Sequence, residues 1–220
     1  MAITHKIFPL VIYQGEVRGH KEFKDNNLES LRDYWFNGYK NESPENSGRI
    51  FVHKKYSSLF KSIKRNVDEY FDILNVNHKN LSYHVVKSWV GLHDKETPEL
   101  NPHNHNASDI SFVYYLKSDD ASDKFCAIQK DNPNEVVEGL FQTGQENLIK
   151  GFNNFNCNYY TLTPKEGTII IFPSGMLHKT LKFTERMDER IVIAGDITIT
   201  LKNDLPYHQA STHPSQWLEI

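Results

Sequence analysis

The sequence predicts a mainly β protein of α+β type: an antiparallel sandwich or barrel with helices added at its N-terminal side. Three observations carry that prediction. Helical periodicity is confined to the first 81 residues. Seven short, Val-, Ile- and aromatic-rich segments follow between residues 82 and 202, separated by turn chemistry. The composition is that of a folded chain, with 38% hydrophobic, 24% charged and 12% aromatic residues among 220. Runs of helices and then runs of strands, without alternation, argue for a β core flanked by helices in a single domain.

The elements follow in order. The N-terminal residues 1–17 have a short apolar patch soon interrupted by Glu16 and Arg18, which reads as a strand and not as a signal peptide. Residues 27–37 space Leu28, Leu31 and Trp35 as one helical face, and residues 38–49 are loop. The strongest helix is 57–76, with Phe60, Ile63, Val67, Tyr70, Phe71 and Leu74 in one stripe and Ser57 or Ser58 as its cap. Strands are expected at 82–92, 109–117, 124–130, 158–164, 167–172, 178–183 and 190–202. The organisation is therefore residues 1–81 packing on the barrel, a β core at 82–202 carrying an insertion at 118–158, and a tail at 203–220. A long insertion in a compact domain is either a binding lid or a solvated excursion.

Charge and cysteine content narrow the function. The net charge of −3, with no basic block, argues against nucleic acid as a partner. No apolar run approaches the roughly 20 residues needed to span a bilayer, so no membrane is expected. Two cysteines, Cys126 and Cys157, make neither a disulfide scaffold nor a four-thiolate zinc site and fit the cytoplasm. The informative residue is histidine, with 11 in the chain. His103 and His105, at i and i+2 on an extended strand, point to one face. A turn held by Pro173 and Gly175 delivers His178 after the apolar strand at 167–172. Three imidazoles then form a facial set that leaves the other positions of an octahedral metal open. Arg190 opens the next apolar strand 12 residues after His178. A guanidinium at the mouth of an apolar barrel is suited to a carboxylate. Arg186, in a polar turn, reads as solvated.

These residues resemble the Fe(II)/2-oxoglutarate-dependent oxygenase superfamily, in particular the oxygenases of marine phage and bacterial genomes. The matching positions run from Ser88-Trp89-Val90, through His103-Asn104-His105 and Ser111-Phe112-Val113-Tyr114-Tyr115-Leu116, to Gly167, Phe172-Pro173-Ser174, His178 and Arg190-Ile191-Val192-Ile193. The resemblance implies a double-stranded β-helix, or jelly roll. It implies an Fe(II)- and 2-oxoglutarate-dependent dioxygenase that hydroxylates its substrate and releases succinate and CO2. Carried over, the metal ligands are His103, His105 and His178. Arg190 is the 2-oxoglutarate anchor, with Tyr114 and Trp89 beside the co-substrate. The substrate is then a small molecule or a peptidyl group, the N-terminal helices offer a homodimer face, and the setting is the cytoplasm, a host's if the chain is phage-encoded.

The chain departs from the family pattern twice. His105 stands where a carboxylate ligand is usual, and Asp109, four residues on, is the candidate substitute ligand. Val192 stands where a hydroxyl normally shares the co-substrate carboxylate, leaving Thr198, Thr200, Tyr114 or Tyr115 to supply it. The same residues also resemble the cupin motifs, His103-x-His105 with Asp109 and then Gly167-x5-Pro173-x-Gly175-x2-His178. That alternative implies a cupin-type dioxygenase or isomerase without 2-oxoglutarate, or a non-catalytic jelly-roll binding protein. Arg190 and the long gap between the two motifs favour the oxygenase.

Overall fold

The computed structural model describes residues 9–38, 48–94, 96–118, 124–141, 148–181, 189–202 and 212–219. Arg186 lies outside the described residues, as do residues 1–8 of the expected N-terminal strand and most of the 38–49 loop. Strand β1 spans Tyr13–Glu16. Helix α1 then runs His20–Asp33 and closes in a π turn, Tyr34–Gly38. It begins seven residues before the position the periodicity predicts. Its first two turns offer only Phe23 to an apolar stripe. They are held instead by docking, His20 against Tyr114 and Lys24 against Glu166. Two short 3-10 turns, Ile50–Val52 and Lys54–Tyr56, lead into helix α2, Ser57–Ile73. Neither serine caps α2, because the chain enters it directly from the second 3-10 turn with Tyr56 in the cap position. The buried stripe is Leu59, Ile63, Val67, Tyr70 and Phe71, whereas Leu74 lies beyond the helix end and is exposed. Each of those burials contributes roughly 1.5–3 kcal/mol.

The strands follow the expected pattern closely. They are β2 (Leu81–His93), β3 (Ile110–Lys117), β4 (Phe125–Ile128), β5 (Tyr159–Leu162), β6 (Thr168–Pro173), β7 (Leu177–Thr180) and β8 (Arg190–Leu201). Among the described residues they make a five-stranded sheet ordered β1-β6-β3-β8-β2 and a three-stranded sheet ordered β5-β4-β7, all antiparallel. This is a jelly roll with α1 and α2 against the outer face of the larger sheet. The expected insertion at 118–158 contains β4, the middle strand of the smaller sheet. The excursion proper leaves at Gln129 and returns at Asn158, whose carbonyl accepts from the Gln129 N–H at 2.9 Å.

Side-chain alternation sorts the larger sheet into two faces. Phe112, Tyr114, Leu116, Ile169, Ile171, Ile191, Ile193 and Ile197 join the helices in one apolar cluster. Tyr115, Ile170, Phe172 and Val192 meet Phe125 and Ala127 of the smaller sheet, and Met176 of the turn before β7, in a second cluster inside the barrel. Close approach requires glycine at 195. A Cβ there would stand 2.6 Å from the Lys87 carbonyl and 2.7 Å from the Phe112 ring. No helix among the described residues is long and apolar enough to cross a membrane.

Candidate metal centre

The two halves of the histidine set arrive by different routes. His178 sits on β7 opposite Ala127 of β4 and faces the barrel interior. His103 lies ahead of β3, in a segment that bridges β7 edge to edge. Its N–H donates to the His178 carbonyl at 3.0 Å, and the His178 N–H donates back at 2.9 Å. The His105 N–H donates to the Ser174 carbonyl at 2.9 Å, which pins the same segment to the turn before β7. Ring centroids lie 4.5 Å apart for His103 and His178, 5.1 Å for His105 and His178, and 5.4 Å for His103 and His105. Each residue brings one ring nitrogen within 4.8 Å of the others.

Hydrogen bonding decides which nitrogen each ring offers. His103 Nδ1 lies 2.8 Å from the Asn101 carbonyl, and His178 Nδ1 lies 3.0 Å from the Met176 carbonyl. A carbonyl only accepts, so both Nδ1 atoms carry the proton. His105 Nδ1 lies 2.5 Å from Asp196 Oδ1. In all three rings Nε2 is left with its lone pair for a metal, with the opposite nitrogen anchored as metal-binding imidazoles require. Burial pushes the His178 pKa down to about 4, and the two neighbouring imidazoles add to the effect. The rings of Phe172 and Phe125 flank His178 at 4.7 and 5.5 Å, which keeps its inner side dry. These convergent imidazoles fit a divalent transition metal.

Asp109 is not part of this set. Its Oδ2 accepts from the Ile199 N–H at 2.7 Å, which turns the carboxylate away along β8. The carboxylate at the centre is Asp196, which in the sequence is one position in an apolar strand. The available signal was a lone acid within Arg190-Ile-Val-Ile-Ala-Gly-Asp196-Ile, because a buried carboxylate needs partners. Ser111 Oγ also donates to Asp196 Oδ1, at 2.7 Å. Ser174 and Ser108 continue the chain at 2.8 and 2.9 Å.

Trp89 stands beside the site, its ring 5.6 Å from that of His105 and its face covered by Lys87 Nζ. Tyr114 does not stand there. It belongs to the helix-facing side of β3, and its Oη shares a 2.7 Å hydrogen bond with His20 Nδ1. Tyr115 takes the interior position instead. Thr198 and Thr200 lie at the far end of β8, where Thr200 meets His84 at 3.0 Å.

Arg190 is 1% exposed and opens β8 opposite His93 of β2. The acid next to it, Glu189, is engaged by Arg32 and Lys117. Arg190, His93, Asp94, Thr97, Glu99, Thr180 and Leu181 are among the residues that line a narrow cavity of about 10 Å³. Thr180 is a hydroxyl that the sequence reading did not consider. It follows His178 by two residues on β7, so both face the interior, about 6.6 Å apart along the strand.

Comparison with known proteins adds to this geometry. The family described as "Putative 2OG-Fe(II) oxygenase" matches residues 87–196, half of the chain and all of the constellation. AviO1 from Streptomyces viridochromogenes Tue57 superposes with a TM-score of 0.56 at 9% identity, covering 90% of this chain and 92% of its own. A non-heme monooxygenase, ThoJ in a nickel complex, gives 0.56 at 10% identity over 89% and 75%. HygX from Streptomyces hygroscopicus, solved with nickel and 2-oxoglutarate, gives 0.51 at 12% identity over 86% and 83%. At these identities the likeness establishes the fold alone. No curated protein matches the chain.

Proposed function

The chain belongs to the 2OG-Fe(II) oxygenase family, and from that premise we propose that it is a dioxygenase that hydroxylates a small-molecule or peptidyl substrate and releases succinate and CO2. Iron(II) is its metal and 2-oxoglutarate its co-substrate. Bound together, they supply the activation of O2 needed to place a hydroxyl on an unactivated C–H bond. The rest is the work of the chain. His103, His105 and His178 hold the metal through Nε2. Arg190 pairs with the distal carboxylate of 2-oxoglutarate, and the Thr180 hydroxyl shares it. Phe125, Phe172 and Val192 keep water from the interior, which strengthens that ion pair. The observation that carries the reading is β7 itself. One strand face presents a convergent imidazole and, two residues on, a hydroxyl beside a buried guanidinium, a spacing that suits a five-carbon diacid.

Substrate reaches the open side of His103. Tyr160 of β5 lies opposite Ala127 and so on the face of His178, and it is half exposed, placing an aromatic wall there. The two free cysteines suit a cytoplasmic setting.

Anaerobic titration of the Fe(II)-loaded protein with 2-oxoglutarate tests the reading. A visible metal-to-ligand charge-transfer band is expected, and Arg190→Ala should weaken 2-oxoglutarate binding by about 2–4 kcal/mol. Metal binding without the band would sink it.

A further inference from the structure

Three neutral imidazoles leave a divalent metal without the anionic donor that a carboxylate ligand would provide. We propose that Asp196 supplies that charge from one hydrogen bond away, acting through His105 as the positioning residue of the centre. The inference rests on the reading of the histidine set as the metal site.

Three observations carry it. The first is contact. His105 Nδ1 is hydrogen-bonded to Asp196 Oδ1, and their side chains are 11% and 8% exposed. The second is direction. Ser108 donates to Ser174, and a chain of hydroxyls running on through Ser111 ends at Asp196 Oδ1. Each hydroxyl has one proton to give, so the atom at which Ser111 and His105 converge is a pure acceptor. The carboxylate turns an accepting oxygen toward the imidazole. The third is topology. Ser111 and Asp196 are directly paired across β3 and β8, and Ser174 belongs to the turn that carries His178. One network therefore fixes the segment with His103 and His105 and the turn to His178 about a single buried charge. An anion bound to Nδ1–H makes Nε2 a stronger donor and fixes the ring plane. The position usually filled by a carboxylate ligand is occupied by His105, and the negative charge stands directly behind it.

Asp196→Asn isolates the charge, because the amide oxygen still accepts from both His105 and Ser111. Metal-free protein is titrated anaerobically with Fe(II) and with Co(II), following affinity and the visible cobalt bands. Asp196→Asn should lower affinity 10–100-fold and shift the cobalt bands, with the melting temperature of the metal-free protein held near wild type. A second variant moves the charge. His105→Asp places the anion on the metal itself, so Asp196→Asn should cost less affinity in the His105→Asp background than in the wild type. Wild-type affinity and cobalt bands in Asp196→Asn would overturn the proposal, as would an equal loss from Asp196→Asn in the wild-type and His105→Asp backgrounds. The His178→Ala variant separates the two levels. Metal binding unaffected by His178→Ala would remove the site reading itself, whereas binding lost there but unchanged in Asp196→Asn would remove this inference alone.

Discussion

The two faces of the larger sheet are built by the same strands and differ in almost everything else. Outward, toward the helices, β3 and β8 present Ile110, Phe112, Tyr114, Leu116, Ile191, Ile193 and Ile197, a continuous apolar layer. Inward, one residue out of step, the same strands present Ser111, Tyr115, Arg190, Val192 and Asp196. Ser111, Arg190 and Asp196 are buried, and each is tied to the candidate centre or to the Arg190 cavity. The outward face holds the fold together, and the inward face gives up apolar contact to keep charge in place. The difference teaches that position parity along a strand, more than residue type, separates structural from chemical roles here.

The division is broken most severely from the inside. His178→Ala should abolish stoichiometric metal binding, because the remaining two imidazoles lie on a segment with no third partner. The fold should survive, since His178 contributes little to the helix-facing core; calorimetric Fe(II) titration and a thermal melt read the two effects separately. From the outside the expectation reverses. Phe112→Ala empties a wholly buried ring position against Gly195 and should cost about 3–5 kcal/mol in urea unfolding. Metal affinity of the folded fraction should stay at the wild-type value. A large loss of metal affinity in Phe112→Ala would mean that the two faces are not independent.

The same division explains what was legible in the sequence. The strands could be read because Val, Ile and aromatic runs are bounded by turn residues, and β7 and β8 begin within a residue of where those signals place them. The three histidines and Arg190 could be read because such residues are rare at the mouths of apolar strands. Facing direction could not. Both sides of β3 and β8 are covered, so alternation is masked by hydrophobic residues on each face. That is why Tyr114 and Tyr115 were indistinguishable, and why Asp196 went unnoticed within an apolar run. The start of α1 was hidden for another reason. Residues 20–26 are polar apart from Phe23, and their helix is set by contacts of His20 and Lys24 with residues far along the chain. Thr180 emerges only once β7 and β8 are placed side by side.

A smaller effect follows from charge inside the barrel. Burial holds the His178 pKa at about 4, below the ordinary histidine value of 6.5. The unfolded chain therefore takes up a proton in that interval that the folded chain refuses, and metal-free protein should lose stability as the pH falls from about 6.5 toward 4. Melting temperatures of wild type and His178→Ala across this range check the point, and the slope should flatten in the variant.

The smallest expected effect tests the boundary itself. Tyr114 is fully buried, and burial raises its phenol pKa, with Glu166 adding to the rise. Its hydroxyl meets His20, on α1. Tyr114→Phe keeps the ring, which packs edge-on against His20 and Phe23, and removes one hydrogen bond to a partly exposed imidazole. The cost should be about 1 kcal/mol of stability. The His20 ring retains Glu166 at 3.4 Å, so α1 should stay docked. Because the hydroxyl points out of the barrel, 2-oxoglutarate affinity and the charge-transfer band should be unchanged. Weakened co-substrate binding in Tyr114→Phe would show that the outward layer feeds the centre after all, and the separation of the two faces would then fail at the strand where it is sharpest.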